Sequence, residues 1–302
     1  MMQKKSLERL AQVQKIISRY DFALTVRQIF YQLVVEQIIP NQKNAYTAIS
    51  YLCVRGRDEG ILPEEGFADR LRVIDKPSSW LDLSDFMVSV KDSYRKDKWQ
   101  DQDAYIEVWT EKDALRNVLD EITHPYNVSL MVGRGQVSRT AIYESYVRFK
   151  EKIDEEKECY LYYAGDLDPS GVAIYNSLVE RLKKYGETGE SINFERFALT
   201  PSQIDEYNLP VTRAKRKDPN YKKFVAEFGN DNTAELDSLP PDVLRNLVKG
   251  YIERHIDRDI LAQSQETEIE ERTRLQEIID QVNHPSLKAV GLHRDEQSQL
   301  VD

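Results

Sequence analysis

Cysteine is nearly absent from this chain. Its 302 residues hold two, Cys53 and Cys159. They lie far apart without metal-site spacing, which excludes a disulfide framework and a cysteine-ligated zinc site. They read as reduced thiols of a cytoplasmic protein. Histidine is scarce too: there are four, none in a zinc-binding pair. Long apolar runs are missing, since no stretch approaches the ~20 residues of a membrane span, and no secretory signal is recognisable. Internal repeats, low-complexity tracts and ATP-binding motifs are absent. Positive charge is in deficit, with a net of −10, which at first argues against a polyanionic partner.

What is present describes a soluble globular chain, 40% hydrophobic and 31% charged, long enough for two domains. The charge is uneven. Residues 1–100 carry 16 Lys and Arg against 13 Asp and Glu, a net of +3, and the remainder carries −13. A weakly basic front can bind DNA through a local stripe. The order of elements predicts an α/β protein. Amphipathic helices over 6–20, 25–38 and 41–60, the second capped by Thr25, suggest a helical winged-helix domain over 1–80, with Leu71–Ile74 as a wing strand. A polar connector with one helix occupies 81–103. Strands over 104–110, 127–132, 158–164 and 192–198 alternate with helices over 104–255, the pattern of a parallel sheet. A long charged helix and a loose tail fill 256–302.

Two apolar runs end abruptly in carboxylates. Ile106-Glu107-Val108-Trp109-Thr110 leads into Glu111-Lys112, and Tyr162-Tyr163-Ala164-Gly165 leads into Asp166-Leu167-Asp168-Pro169-Ser170-Gly171. Short apolar runs are the form of buried parallel strands, and open α/β sheets bind ligands at strand ends. Glu111, Asp166 and Asp168 can therefore converge. Like charges brought together call for a hard cation, Mg²⁺ or Mn²⁺.

One tyrosine departs from its helix pattern. Val26, Ile29, Phe30, Leu33 and Val34 share a face, and at about 100° per residue Tyr31 points roughly 130° away from its middle. Arg27, four residues earlier, lies beside it. A tyrosine off the core next to an arginine suits attack on phosphorus, although an exposed helix-edge tyrosine has the same spacing.

In order, Arg27-Gln28-Ile29-Phe30-Tyr31, Glu111-Lys112 and Asp166-Leu167-Asp168-Pro169-Ser170-Gly171 resemble the A subunit of type IIB DNA topoisomerases (topoisomerase VI) and the related meiotic double-strand-break proteins. Glu235-Leu236-Asp237 with Pro240-Pro241 also resembles that family's C-terminal region. Between the acidic motifs, where the family has Gly-Tyr-Pro-Asp and then Thr-Arg, this chain keeps Gly133 and Arg139 but not the proline and aspartate. The resemblance implies a winged helix followed by a Toprim domain. It implies Tyr31 as nucleophile with Arg27, Glu111 and Lys112 as catalytic partners, and Mg²⁺ on Glu111, Asp166 and Asp168. It further implies a homodimer and, for topological work, a separate GHKL-type ATPase subunit. Arg27, Arg55, Arg57, Arg134 and Arg139 are the candidate DNA contacts. The alternatives are a hydrolytic Toprim nuclease in which Tyr31 is not the nucleophile, and a non-catalytic winged-helix DNA-binding module.

Overall fold

A computed structural model describes residues 2–68, 77–133 and 135–283. Leu71–Ile74, Arg134 and the tail from 285 lie outside these residues. Three helices open the chain: α1 (Lys4–Ile17), α2 (Val26–Val35) and α3 (Lys43–Asp58). Thr25 and Gln28 form a capping box at the start of α2. Gln28 N donates to Thr25 Oγ1 at 3.2 Å and Thr25 N donates to Gln28 Oε1 at 2.8 Å. Leu10, Val13 and Ile16 meet Ile29, Phe30 and Leu33 and then Ile49 and Cys53 in one core. Each fully buried aliphatic side chain there contributes about 1.5–3 kcal/mol relative to exposure.

After α4 (Leu83–Ser93), β1 (Ala104–Thr110), α5 (Arg116–Thr123), β2 (Ser129–Val132), α6 (Arg139–Asp154), β3 (Glu158–Ala164), α7 (Pro169–Lys183), α8 (Glu187–Glu190) and β4 (Ile192–Ala198) alternate as expected. The four strands are parallel in the order β2-β1-β3-β4. Parallel pairing requires the crossover helices, and helices on a sheet explain why β1 and β3 are buried nearly throughout. The chain steps from β1 outward to β2 and then returns to the other side of β1 for β3. Strand order therefore reverses between β1 and β3, where an α/β sheet opens a crevice beyond its carboxyl ends. Thr110 pairs with Ala164, so the two strands end level.

Beyond β4 come α9 (Pro201–Glu206), β5 (Thr212–Arg213), α10 (Tyr221–Phe228) and β6 (Asn232–Thr233), with β5 and β6 antiparallel. α11 (Pro241–Glu253) packs on α5. The compact units differ from the sequence boundaries. The three helices and the α/β layer, residues 2–68 and 102–255, form one unit, while α4 and α12 (Arg258–Asn283) belong to a second. Within that second unit Lys91 Nζ donates to Gln276 Oε1 at 2.7 Å, Lys96 N donates to Glu268 Oε2 at 3.1 Å, and Tyr94 Oη donates to Glu271. No helix among the described residues is long and apolar enough to cross a membrane.

Candidate active site

Because β1 and β3 end side by side, the residues that follow them are neighbours. Asp166 N donates to Glu111 Oε1 at 2.7 Å. Glycines permit this approach. A Cβ on Gly171 would stand 2.4 Å from the Asp166 carbonyl oxygen and 3.2 Å from Glu111 Oε1, and one on Gly165 would stand 3.1 Å from the same Glu111 oxygen. Asp168 caps α7: its Oδ1 accepts from Gly171 N at 2.7 Å, with Pro169 at the first turn. One Asp168 oxygen is thus committed to the helix. The sheet brings Glu111, Asp166 and Asp168 to one crevice, each with a different local engagement.

A second acidic segment joins them. Leu167 and Ala234 exchange both backbone hydrogen bonds at 3.0 Å, which lays residues 234–238 along the loop after β3. Leu236 N then donates to Asp166 Oδ1 at 2.8 Å. Lys112 Nζ sits 2.7 Å from Asp166 Oδ2, 2.8 Å from Glu235 Oε2 and 3.2 Å from Asp237 Oδ2. Arg27 reaches the same pair, with Nη2 2.5 Å from Glu235 Oε2 and Nε 3.2 Å from Asp237 Oδ2. Two cations and three carboxylates therefore link α2 to the ends of β1 and β3. Asp237 is 1% exposed, and among the described residues neither of its oxygens has an aligned hydrogen bond, so both contacts of Oδ2 are purely ionic.

The electrostatics follow from burial set against these pairs. Burial pushes Asp166 up to about 7 although Lys112 opposes it. Burial also raises Glu111. For Glu235 the burial effect is outweighed by Lys112 and Arg27, which hold it below the usual carboxylate range. Burial works against the Lys112 charge, yet Asp237, Asp166 and Glu235 together hold it above the ordinary lysine value. Behind the loop Arg196 of β4 is half-buried and donates through Nη2 to the Gly165 carbonyl at 2.9 Å and to the Asp166 carbonyl. Its Nη1 has no hydrogen-bond partner among the described residues, and burial lowers its pKa.

Tyr31 is not where helical periodicity put it. It is 6% exposed and belongs to the core with Phe30. The supposed outer face of α2 is covered by the turn Leu236–Ser238, and Gln28 and Gln32 are buried as well. Periodicity assumes one buried face, whereas α2 is packed on both sides. Arg27 does lie beside Tyr31, with its guanidinium carbon 5.9 Å from the ring centroid. Burial, reinforced by Glu235, pushes the Tyr31 phenol up to about 12 against the opposing Arg27 charge.

The other candidate arginines have separate surroundings. Arg55 Nε pairs with Glu59 at 2.8 Å, and Arg57 pairs with Glu64 at 3.2 Å and packs over the Phe67 ring. Arg139 is exposed at the start of α6. Sequence reasoning assigned no role to Glu235, Asp237 or Arg196. A lone arginine in the strand run Ile192–Ala198 was a usable signal, and so was the acid–Leu–acid alternation at 235–237.

Among the described residues no three His, Cys, Asp or Glu side chains stand ready in ligand geometry. The donor set is nonetheless all hard oxygen, suited to Mg²⁺ or Mn²⁺. The Lys112 ammonium occupies the position between Asp166, Glu235 and Asp237 that a cation would neutralise. A buried Asp237 oxygen without a partner also fits a further positive ligand. Compared with models of known protein families and with curated proteins, the chain matches none.

Proposed function

We propose that the chain cleaves DNA strands with a divalent metal ion and Tyr31 as nucleophile, in the manner of the topoisomerase VI A subunit that its motifs resemble. The observation that carries this reading is the ionic chain from Arg27 through Glu235 and Lys112 to Asp166, which joins the tyrosine helix to the strand-end carboxylates. Glu111, Asp166 and Asp168, with Asp237 behind them, are the residues that would hold the metal. A bound Mg²⁺ supplies charge neutralisation of the phosphate and of the leaving 3′ oxygen.

The chain's own groups do the rest. Arg27, once free of Glu235 and Asp237, presents a planar fork to a phosphate beside Tyr31. The Tyr31 oxygen gives up its proton and bonds to phosphorus as the bond to the 3′ oxygen breaks, and the proton passes, through solvent, to that leaving oxygen. Lys112 balances the carboxylates until substrate arrives. Two copies acting on opposite strands give a double-strand break, and an ATPase subunit belongs to the topological form of this reaction. Tyr31 burial, with its phenol raised to about 12, favours a second reading in which water is the nucleophile and the tyrosine is structural.

Nicking of supercoiled plasmid in Mg²⁺ or Mn²⁺ tests the DNA-cleaving claim. Wild type is expected to nick and Glu111→Gln to fall to background with an unchanged circular dichroism spectrum. Equal nicking by both proteins would refute the site.

A further inference from the structure

A cavity of about 480 Å³ opens beside Tyr31, where α2 meets the start of α3 and Lys215 of the segment following β5. Phe30, Tyr31 and Tyr46 form its apolar wall, in which Phe30 and Tyr31 are buried and the half-buried Tyr46 offers the accessible ring. Their rings pack edge to face, with centroids 5.2 Å apart for Phe30–Tyr31 and 5.4 Å for Phe30–Tyr46. Asn41, Lys43 and Lys215 supply polar groups to the same cavity. Among the described residues neither lysine is ion-paired and the Asn41 amide has no hydrogen-bond partner. α3 begins at this wall without a side-chain cap.

This lining selects a ligand class. A wholly apolar ligand would make no use of two exposed ammonium groups and an amide. A bare phosphate would make no use of three aromatic rings. A nucleotide carries both halves, and the volume lies in the range of small-molecule pockets. Aromatic walls receive any base through its π-face, and an asparagine amide offers a donor and an acceptor to a base edge. A paired base is stacked within its duplex and cannot enter a cavity, so the nucleotide must be unpaired.

We propose that this cavity binds an unpaired nucleotide of a DNA strand, with its base against the half-buried Tyr46 ring and its phosphates at Lys43 and Lys215. Arg27 and Glu235 also line the cavity. The nucleotide would therefore lie next to the phosphate presented to Tyr31, and the assignment rests on the DNA-cleaving function proposed above. It adds a requirement that strand cleavage alone does not have: recognition of a base outside the helix.

The test is fluorescence anisotropy of a short labelled thymidine oligonucleotide in the absence of divalent metal, so that no strand is cut. A second oligonucleotide of equal length carries abasic sites in place of the bases. Wild type should bind the abasic strand about tenfold more weakly or worse, the effect of losing one stacked base. Tyr46→Leu keeps an apolar contact with Phe30 and should lose most of that preference. Lys43→Ala, at an exposed position, should lower the slope of log K against log salt by about 0.7. Equal binding of both strands by wild type would overturn the pocket while leaving DNA binding intact. Failure to bind either strand would overturn the pocket together with the DNA reading. The comparison of two strands on one wild-type protein does not depend on how any variant folds.

Discussion

At the scale of residues, the site is a cluster of carboxylates bridged by two cations, the largely buried Lys112 and the exposed Arg27. Lys112 is 15% exposed and faces three acids, so its removal leaves like charges uncompensated. Lys112→Met should destabilise the protein by about 3–5 kcal/mol at neutral pH, the usual cost of breaking a buried pair on one side. If a divalent cation takes the same place, Mg²⁺ should raise the melting temperature of Lys112→Met more than that of wild type. Equal metal effects in the two proteins would argue against a shared position. Asp166 gives a prediction with a sign. Its pKa rises from the ordinary 3.8 to about 7 in the fold. The folded state therefore holds a proton that the unfolded chain releases between those values, and stability from this group falls as pH rises from about 4 to about 7. Asp166→Asn removes the ionisation. Melting temperatures between pH 5 and pH 8 should decline less in the variant than in wild type, and parallel profiles would contradict the assignment. Gly171 is the third point: a methyl group there meets backbone 2.4 Å away. Gly171→Ala should force the loop off Glu111 and cost a few kcal/mol in urea unfolding, the scale of overpacking in a tight site. A loss within about 0.5 kcal/mol would mean that the loop is not constrained as described.

At the scale of elements, the parallel sheet was the most legible part. β1 and β3 are short apolar runs, β1 β-branched and aromatic and β3 rich in tyrosine, bounded by turn signals. Burial on both faces gives that continuous apolar pattern. The meeting of Glu111 and Asp166 was legible too, since strand ends in an α/β sheet converge on a crevice. Asp168 was only half legible, because the same Asp-Pro start that reads as a ligand motif is also a helix cap. Helix α2 misled. Its stripe of Val26, Ile29, Phe30 and Leu33 is real, but the opposite side is buried by the turn Leu236–Ser238, more than 200 residues away in sequence. Periodicity carries no record of such a long-range contact. Glu235 and Asp237 stood out only through the family resemblance, and their place in the site was hidden for the same reason, since they reach it through the Leu167–Ala234 pairing. The division of the chain into compact units was likewise unreadable, because α4 and α12 are separated by the entire α/β layer in sequence.

At the scale of the whole molecule, an acidic chain of net charge −10 approaches a polyanion only through local cations. In the first compact unit those nearest the proposed chemistry, Arg27 and Lys112, are engaged by carboxylates. Under the proposed function, substrate phosphate and metal would exchange partners with this network, phosphate taking Arg27 and the metal taking the acids. The central claim is that the nucleophile in this exchange is Tyr31. Denaturing electrophoresis of end-labelled DNA after incubation with Mg²⁺ or Mn²⁺, with and without protease, tests it most directly. Tyr31→Phe removes one oxygen and keeps the ring in the core, so folding and DNA binding should persist while cleavage falls to background. The account predicts a protease-sensitive shift of labelled DNA in wild type that disappears in Tyr31→Phe. Free DNA ends produced equally by wild type and Tyr31→Phe would contradict it and establish water as the nucleophile.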